Sequence, residues 1–227
     1  MCVSQFGTDF IKFTFGSAAL YPPALLRAKI ALIRSYGVNV YPGGTFFEVA
    51  LTQDRVEQYF HRCRDLGFNY IEVSDGTVEV APDVRRRAIA QAAALGFTVI
   101  TEVGKKEAGS ALDPADAVPQ ILADLGAGAA KVIVEGREGG KGAGLYDASG
   151  KLRDDDLEQL VAGVPDPAVL MWEAPLKSQQ EILIARFGPN VNLGNIPPDE
   201  ALAVEALRVG LRGDTLRLAL EQKGANV

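Results

Sequence analysis

Lys131-Val132-Ile133-Val134-Glu135-Gly136-Arg137-Glu138 reads as a β-strand running into a turn. Val132 and Val134 alternate with Lys131, Ile133 and Glu135, so the two sets point to opposite faces. The purely aliphatic set can pack beneath helices. The other set places an ammonium and a carboxylate on one face, four residues apart. A strand buried on both faces carries ions only where they are paired or used. The stretch is therefore either a buried Lys–Glu pair or part of a catalytic site.

Six more strands can be read around it: 10–15, 38–41, 69–74, 97–103, 169–173 and 190–195. Between them lie helical patterns. Pro22 and Pro23 open one through Tyr36, and others cover Thr52 to Leu66 and Pro82 to Leu95. Asp113, a candidate N-cap, opens the next, through Leu125. Helices at 154–161, 178–187 and 197–209, with a short one from Asp214, complete the chain. Strict β-α alternation with short connections predicts a parallel sheet flanked by helices. A repeat of roughly thirty residues points to a closed barrel. The fold class expected is α/β, a (β/α)8 TIM-type barrel with seven readable strands, apparently lacking its first strand and helix at the N-terminus. No linker or composition shift divides the chain, so residues 1–227 are expected to form one domain.

The chain has 227 residues, a net charge of −6 and no basic run, which gives no footing for nucleic acid. No apolar run reaches membrane-spanning length, and no signal peptide is evident. Cys2 and Cys63 are the only cysteines and lack metal-ligand spacing, so a reducing, cytoplasmic setting is expected. His61, the single histidine, sits among charges on a helix and reads as surface. Acid–base chemistry must fall to Lys, Asp, Glu or Tyr.

Glu72, Glu102, Glu135 and Glu173 each come late in a strand, on four successive strands. In a parallel barrel those strand ends ring one mouth, where active sites lie. Carboxylates gathered there repel one another unless cations join them. Lys12, Lys105, Lys106, Lys131 and Arg137 supply some positive charge. Oxygen donors without His or Cys suit a hard ion, Mg²⁺. Glycines at 43–44, 76, 104 and 194, with Asn195, offer backbone N–H groups, and Arg212 could fold back onto a phosphate.

At these residues the chain resembles a known family. Tyr41-Pro42-Gly43-Gly44-Thr45, Ile71-Glu72-Val73-Ser74-Asp75-Gly76-Thr77, Glu102-Val103-Gly104-Lys105-Lys106, Lys131 to Glu135, Trp172 to Lys177, Gly188 to Ile196 and Leu211 to Thr215 are similar, in order, to the motifs of the phosphosulfolactate synthases. The resemblance implies a Mg²⁺-dependent barrel that adds sulfite to phosphoenolpyruvate, giving (2R)-phospho-3-sulfolactate, the entry to coenzyme M. It implies Lys131 as the acid lysine, with Glu135 and Lys12 beside it in catalysis, and Glu72, Glu102 and Glu173 as metal ligands. Lys105, Lys106, Arg137, Gly194, Asn195 and Arg212 become candidates for binding substrate. A homo-oligomer is also expected. Phe13-Thr14-Phe15-Gly16-Ser17-Ala18 departs from the family's Phe-Gly-Trp-Gly-Thr-Ser, and Gly136 replaces an alanine. A related enediolate lyase with another acceptor or nucleophile, and a non-catalytic stress-associated homologue, are the alternatives.

Overall fold

The computed structural model describes residues 7–106 and 109–222; Cys2 lies outside the described residues. Among these residues seven parallel strands alternate with helices. β1 (Phe10–Phe13) pairs with β2 (Asn39–Pro42), and β3 (Tyr70–Val73), β4 (Thr98–Val103), β5 (Ala129–Val134), β6 (Leu170–Glu173) and β7 (Leu193–Gly194) pair in sequence order. Every pairing is between consecutive strands and parallel. This is the TIM-type barrel topology expected from the β-α repeat.

Backbone ladders join the strands within each of the two sheets, and the join between β2 and β3 is made differently. The Asn69 side chain accepts from the Val40 N–H at 3.0 Å and donates to the Asn39 side chain at 2.8 Å. One amide thus supplies the hydrogen bonds that a strand ladder would otherwise provide there.

Alternation divides the strand residues into two environments. One face of each strand looks inward, where Tyr41, Ile100, Ile133 and Met171 form a small buried cluster with Phe10 and Tyr70 against it. Phe10 meets Tyr41 and Tyr70 edge to face, with ring centroids 6.4 and 5.2 Å apart. The opposite faces pack under helices in two larger clusters. Phe47, Phe60, Ile71 and Ile89 are among the residues of the first, and Ile121, Val132, Leu160 and Trp172 of the second. Apolar burial on this outer face holds the layers together.

The helices are α1 (Pro23–Ser35), α2 (Gly44–Thr52), α3 (Val56–Leu66), α4 (Pro82–Ala94), α5 (Pro114–Ala127), α6 (Asp154–Gly163), α7 (Lys177–Phe187), α8 (Ala201–Arg208) and α9 (Gly213–Gln222). Asp113 caps α5, its carboxylate accepting from the Ala115 N–H at 2.9 Å. α3 and α5 end at Gly67 and Gly128 in left-handed conformation.

Two local expectations need correction. One helix is expected over Thr52 to Leu66, but the structure has two: α2 begins at Gly44, directly after β2, and ends at Thr52, and α3 starts only at Val56. The apolar run Phe46-Phe47 followed by Val49-Ala50-Leu51 buries Phe47 and Ala50 there, so the segment coils rather than loops. The last strand is only Leu193–Gly194; just before it the Asn192 carbonyl still accepts from the Trp172 N–H at 2.9 Å, while the Asn192 side chain turns to the carbonyls of Ala168 and Leu170. His61 lies on the surface, facing Glu57 at 3.9 Å.

Asn69→Ala should leave the Val40 N–H without its partner and cost about 1–3 kcal/mol. The midpoint of urea unfolding checks this, with Asn69→Asp as a control that keeps an acceptor.

Candidate active site

Inward-facing residues one step above the Ile100–Ile133–Met171 layer are charged. Glu72, Glu102, Glu135 and Glu173 stand at the C-terminal ends of β3 to β6 and are 0, 1, 3 and 7% exposed. Two lysines enter among them. Lys12 of β1 reaches Glu72 at 2.9 Å and Glu102 at 3.6 Å. Lys106, just beyond β4, reaches Glu102 at 3.0 Å and Glu135 at 3.9 Å. The cluster therefore alternates in sign: Glu72, Lys12, Glu102, Lys106, Glu135.

Backbone N–H groups hold Glu72, Glu135 and Glu173, while Glu102 meets the two lysines. The Gly44 N–H donates to Glu72 at 2.9 Å, and a Cβ on Gly44 would lie 2.5 Å from the same oxygen. Only glycine permits that approach. The Arg137 N–H donates to Glu135 at 2.6 Å, and the Gly136 N–H donates to Glu173 at 3.0 Å. Asn195 spans the gap beyond, donating to the Arg137 carbonyl at 3.0 Å and to Glu173 at 3.5 Å. Arg137 and Asn195 both adopt left-handed backbone, with φ of 58° and 57°. For non-glycine residues this costs energy and is characteristic of functional sites.

Charge balance across the cluster is uneven. Burial pushes Glu72 up to about 7, with Lys12 pulling the other way. Burial would raise Glu102 too, but Lys12 and Lys106 together hold it below the usual range. Glu135 has the least relief: burial, then Glu102 and Glu173, push it up to about 9. Its carboxyl lies within hydrogen-bonding reach of Glu173, an approach that needs a proton or a cation between the two. Burial would lower Lys12 and Lys106, yet the surrounding glutamates outweigh it and hold both ammonium groups above the ordinary lysine value.

Several residues singled out in the sequence sit elsewhere. Lys131 shares the inward face with Glu135, but Ile133 lies between them, and four strand residues span about 13 Å. Its ammonium donates to the Ala168 carbonyl at 3.0 Å, where β6 begins. Lys131 thus forms neither the Lys–Glu pair nor part of the mouth. Lys105 turns outward to Asp75, donating to its carbonyl at 2.8 Å and its carboxylate at 3.3 Å. Arg212 pairs with Asp214 at 3.6 Å, and Asp214 is held by Lys177 at 2.9 Å; no hydrogen bond or ion pair links this group to the mouth among the described residues. Gly194 pairs with Glu173, bringing Asn195 to the rim. Glu72, Glu102 and Glu173 do not gather as a ligand set; among the described residues no three metal-ligating side chains do.

Sequence reasoning missed two buried charges behind the mouth, Arg85 and Glu48. Arg85, 4% exposed, grips Asp124 with two nitrogens at 2.8 and 2.6 Å, the Glu102 carbonyl at 2.9 Å and Asp75 at 3.1 Å. Glu48, also buried, accepts from Ser74 at 3.0 Å and the Thr77 N–H at 3.2 Å. Both brace the loop after β3. The signal was faint, since Arg85 is one of three consecutive arginines on α4.

A family model of (2R)-phospho-3-sulfolactate synthase matches residues 3–214. The chain belongs to this family. It is 46% identical to the phosphosulfolactate synthase of Methanothermobacter thermautotrophicus over 218 residues, 95% of this chain and 84% of that one. It is 44% identical over 209 residues to the Methanocaldococcus jannaschii protein of the same name, covering 91% and 83% of the two chains. The Bacillus subtilis phosphosulfolactate synthase is 37% identical over 212 residues, covering 92% and 82%. Among solved structures, a 2,3-dimethylmalate lyase of the PEP mutase/isocitrate lyase superfamily superposes with a TM-score of 0.50 at 14% identity, over 97% of this chain and 76% of that one. That likeness concerns the fold alone. No helix among the described residues is long and apolar enough to cross a membrane.

A carboxyl whose folded value is raised favours the folded state below its unfolded value and forfeits that advantage as pH climbs through the folded one. Without divalent ions, stability should therefore fall between about pH 5 and 9, as Glu72 and then Glu135 ionise. Glu135→Gln should melt above the parent at pH 9 and flatten the upper part of the profile, which thermal melts in EDTA would show.

Proposed function

We propose that the protein adds sulfite to phosphoenolpyruvate, forming (2R)-phospho-3-sulfolactate at the mouth of the barrel. The family supports this reading, and one observation carries the chemistry: two ammonium groups stand among buried carboxylates at a ring of strand ends. Sulfite's sulfur lone pair forms the new C–S bond at the terminal methylene carbon. The π electrons move to C2 and its carboxylate as an enediolate, and one proton delivered to C2 completes the addition. No other bond breaks, so the phosphate ester survives.

Lys106 is the proton donor in this scheme. Lys12 is paired on both sides, with Glu72 at 2.9 Å and Glu102 at 3.6 Å, whereas Lys106 has one close partner, Glu102 at 3.0 Å, and stands off from Glu135 at 3.9 Å. The neighbouring glutamates keep the Lys106 ammonium protonated until substrate arrives. Lys12 contributes fixed positive charge beneath the reacting carboxylate. Arg137, whose guanidinium meets no carboxylate among the described residues, and Asn195 are placed to bind anionic groups of the substrates.

Mg²⁺ fits the remaining pair. It commonly takes one or two carboxylates and completes its shell with water and substrate oxygens. Glu135 and Glu173 crowd together without a lysine shared between them, and one Glu135 oxygen is buried without a donor. They would hold the ion, which would supply positive charge for the developing enediolate.

In ³¹P NMR, phosphoenolpyruvate should give way to a new phosphate-ester resonance only when sulfite and Mg²⁺ are both present. Persistence of the starting signal with all components would defeat the assignment. Lys106→Met should lose about 10²–10⁴ in kcat, while Lys131→Met, at the far end of the barrel, should stay within about threefold of wild type.

A further inference from the structure

Lys105 and Lys106 are consecutive, yet their ammonium groups take opposite courses. Lys106 points inward to Glu102 and Glu135, at 3.0 and 3.9 Å. Lys105 points away and is spent on Asp75, touching both its carbonyl and its carboxylate. The loop after β3 holds both residues. The Lys106 N–H donates to the Gly76 carbonyl at 3.0 Å. The Lys106 side chain then runs along the bare face of Gly76, where a Cβ would come within 2.9 Å of its Cε.

That loop is itself anchored from below. One Asp75 oxygen takes Arg85 at 3.1 Å and the other takes Lys105 at 3.3 Å. Arg85 is fixed by its two-pronged grip on Asp124 and by the Glu102 carbonyl. The same guanidinium therefore fixes the main chain of the central carboxylate and the acid that holds Lys105. A planar guanidinium can serve these partners at once, and a lysine could not.

We propose that Asp75, gripped by Arg85, is a positioning residue that latches Lys105 outward and so directs Lys106 into the mouth between Glu102 and Glu135. Lys105 is then a strut rather than a substrate ligand. The proposal rests on the reading of Lys106 as proton donor. A proton donor about an ångström out of place can lose a large part of its rate while binding persists.

Two full-length variants test it, Lys105→Met and Asp75→Asn. The first removes the latch without disturbing the Arg85–Asp124 pair; the second keeps the size of Asp75 but not its charge. Steady-state kinetics would be read beside the ε-methylene signal of Lys106 in ¹³C-lysine-labelled protein at one fixed pH, assigned with Lys106→Arg. Both variants should lower kcat about tenfold, leave KM for phosphoenolpyruvate and sulfite within about twofold, and move the Lys106 signal. In Lys105→Met the melting temperature should hardly change, since the lost pair is exposed. A raised KM with the Lys106 signal at its wild-type position would make Lys105 a substrate ligand and overturn the proposal. An unmoved signal with unchanged kcat would overturn it as well. Should the wild-type protein fail to join phosphoenolpyruvate and sulfite, the spectrum still decides: a moved Lys106 signal upholds the latch while the assigned reaction falls.

Discussion

Glu102 is the residue on which the site turns. It is buried at the end of β4 and shared by two ammonium groups, Lys12 from one side and Lys106 from the other. An isolated carboxylate in that position would be driven to protonate. With both lysines present it stays charged, and each lysine in turn is kept charged by a second glutamate. Positive charge thereby sits ready at the mouth without reorganisation when substrate arrives, which is the arrangement that stabilises developing negative charge most effectively.

The surrounding structure supports this alternation at short range. Gly44 lets a helix start touch Glu72, and the Gly136 and Arg137 N–H groups fix Glu173 and Glu135. Arg85 fixes the Glu102 main chain from the helix side. These contacts come from parts of the chain far apart in sequence, and the barrel topology is what brings them to one rim. Burying Arg85 with Asp124 gives no assurance of net stability, because desolvation offsets the attraction. Its two-pronged geometry does confer a defined orientation.

Much of this was legible in the sequence, and the failures have physical causes. Strand and helix periods gave the alternation of elements, and the late position of four glutamates in their strands located the mouth. Lys131 was misplaced because period two identifies a face of the sheet but not a height along it. Starting the strand at Ala129 puts Lys131 near its lower end, below the Ile133 layer. Lys106 follows β4 in a loop, where no period assigns direction, and its role depends on contacts with the β3 loop. Arg85 and Glu48 look like helix surface charges, and only tertiary packing turns them inward. The short β7 was over-read since the Asn192 side chain, which sequence period cannot direct, turns back to the Ala168 and Leu170 carbonyls just where the strand begins.

The division into two sheets has a consequence for how the molecule assembles. Lys12 belongs to the β1–β2 ribbon, while Glu72 and Glu102 belong to the five-stranded sheet. Without the ribbon, the larger sheet carries a rim of acid that Lys106, among the described residues, is left to offset. The N-terminal ribbon therefore acts as a tethered counter-ion, and the charge pattern of the mouth is complete only when the two sheets are together.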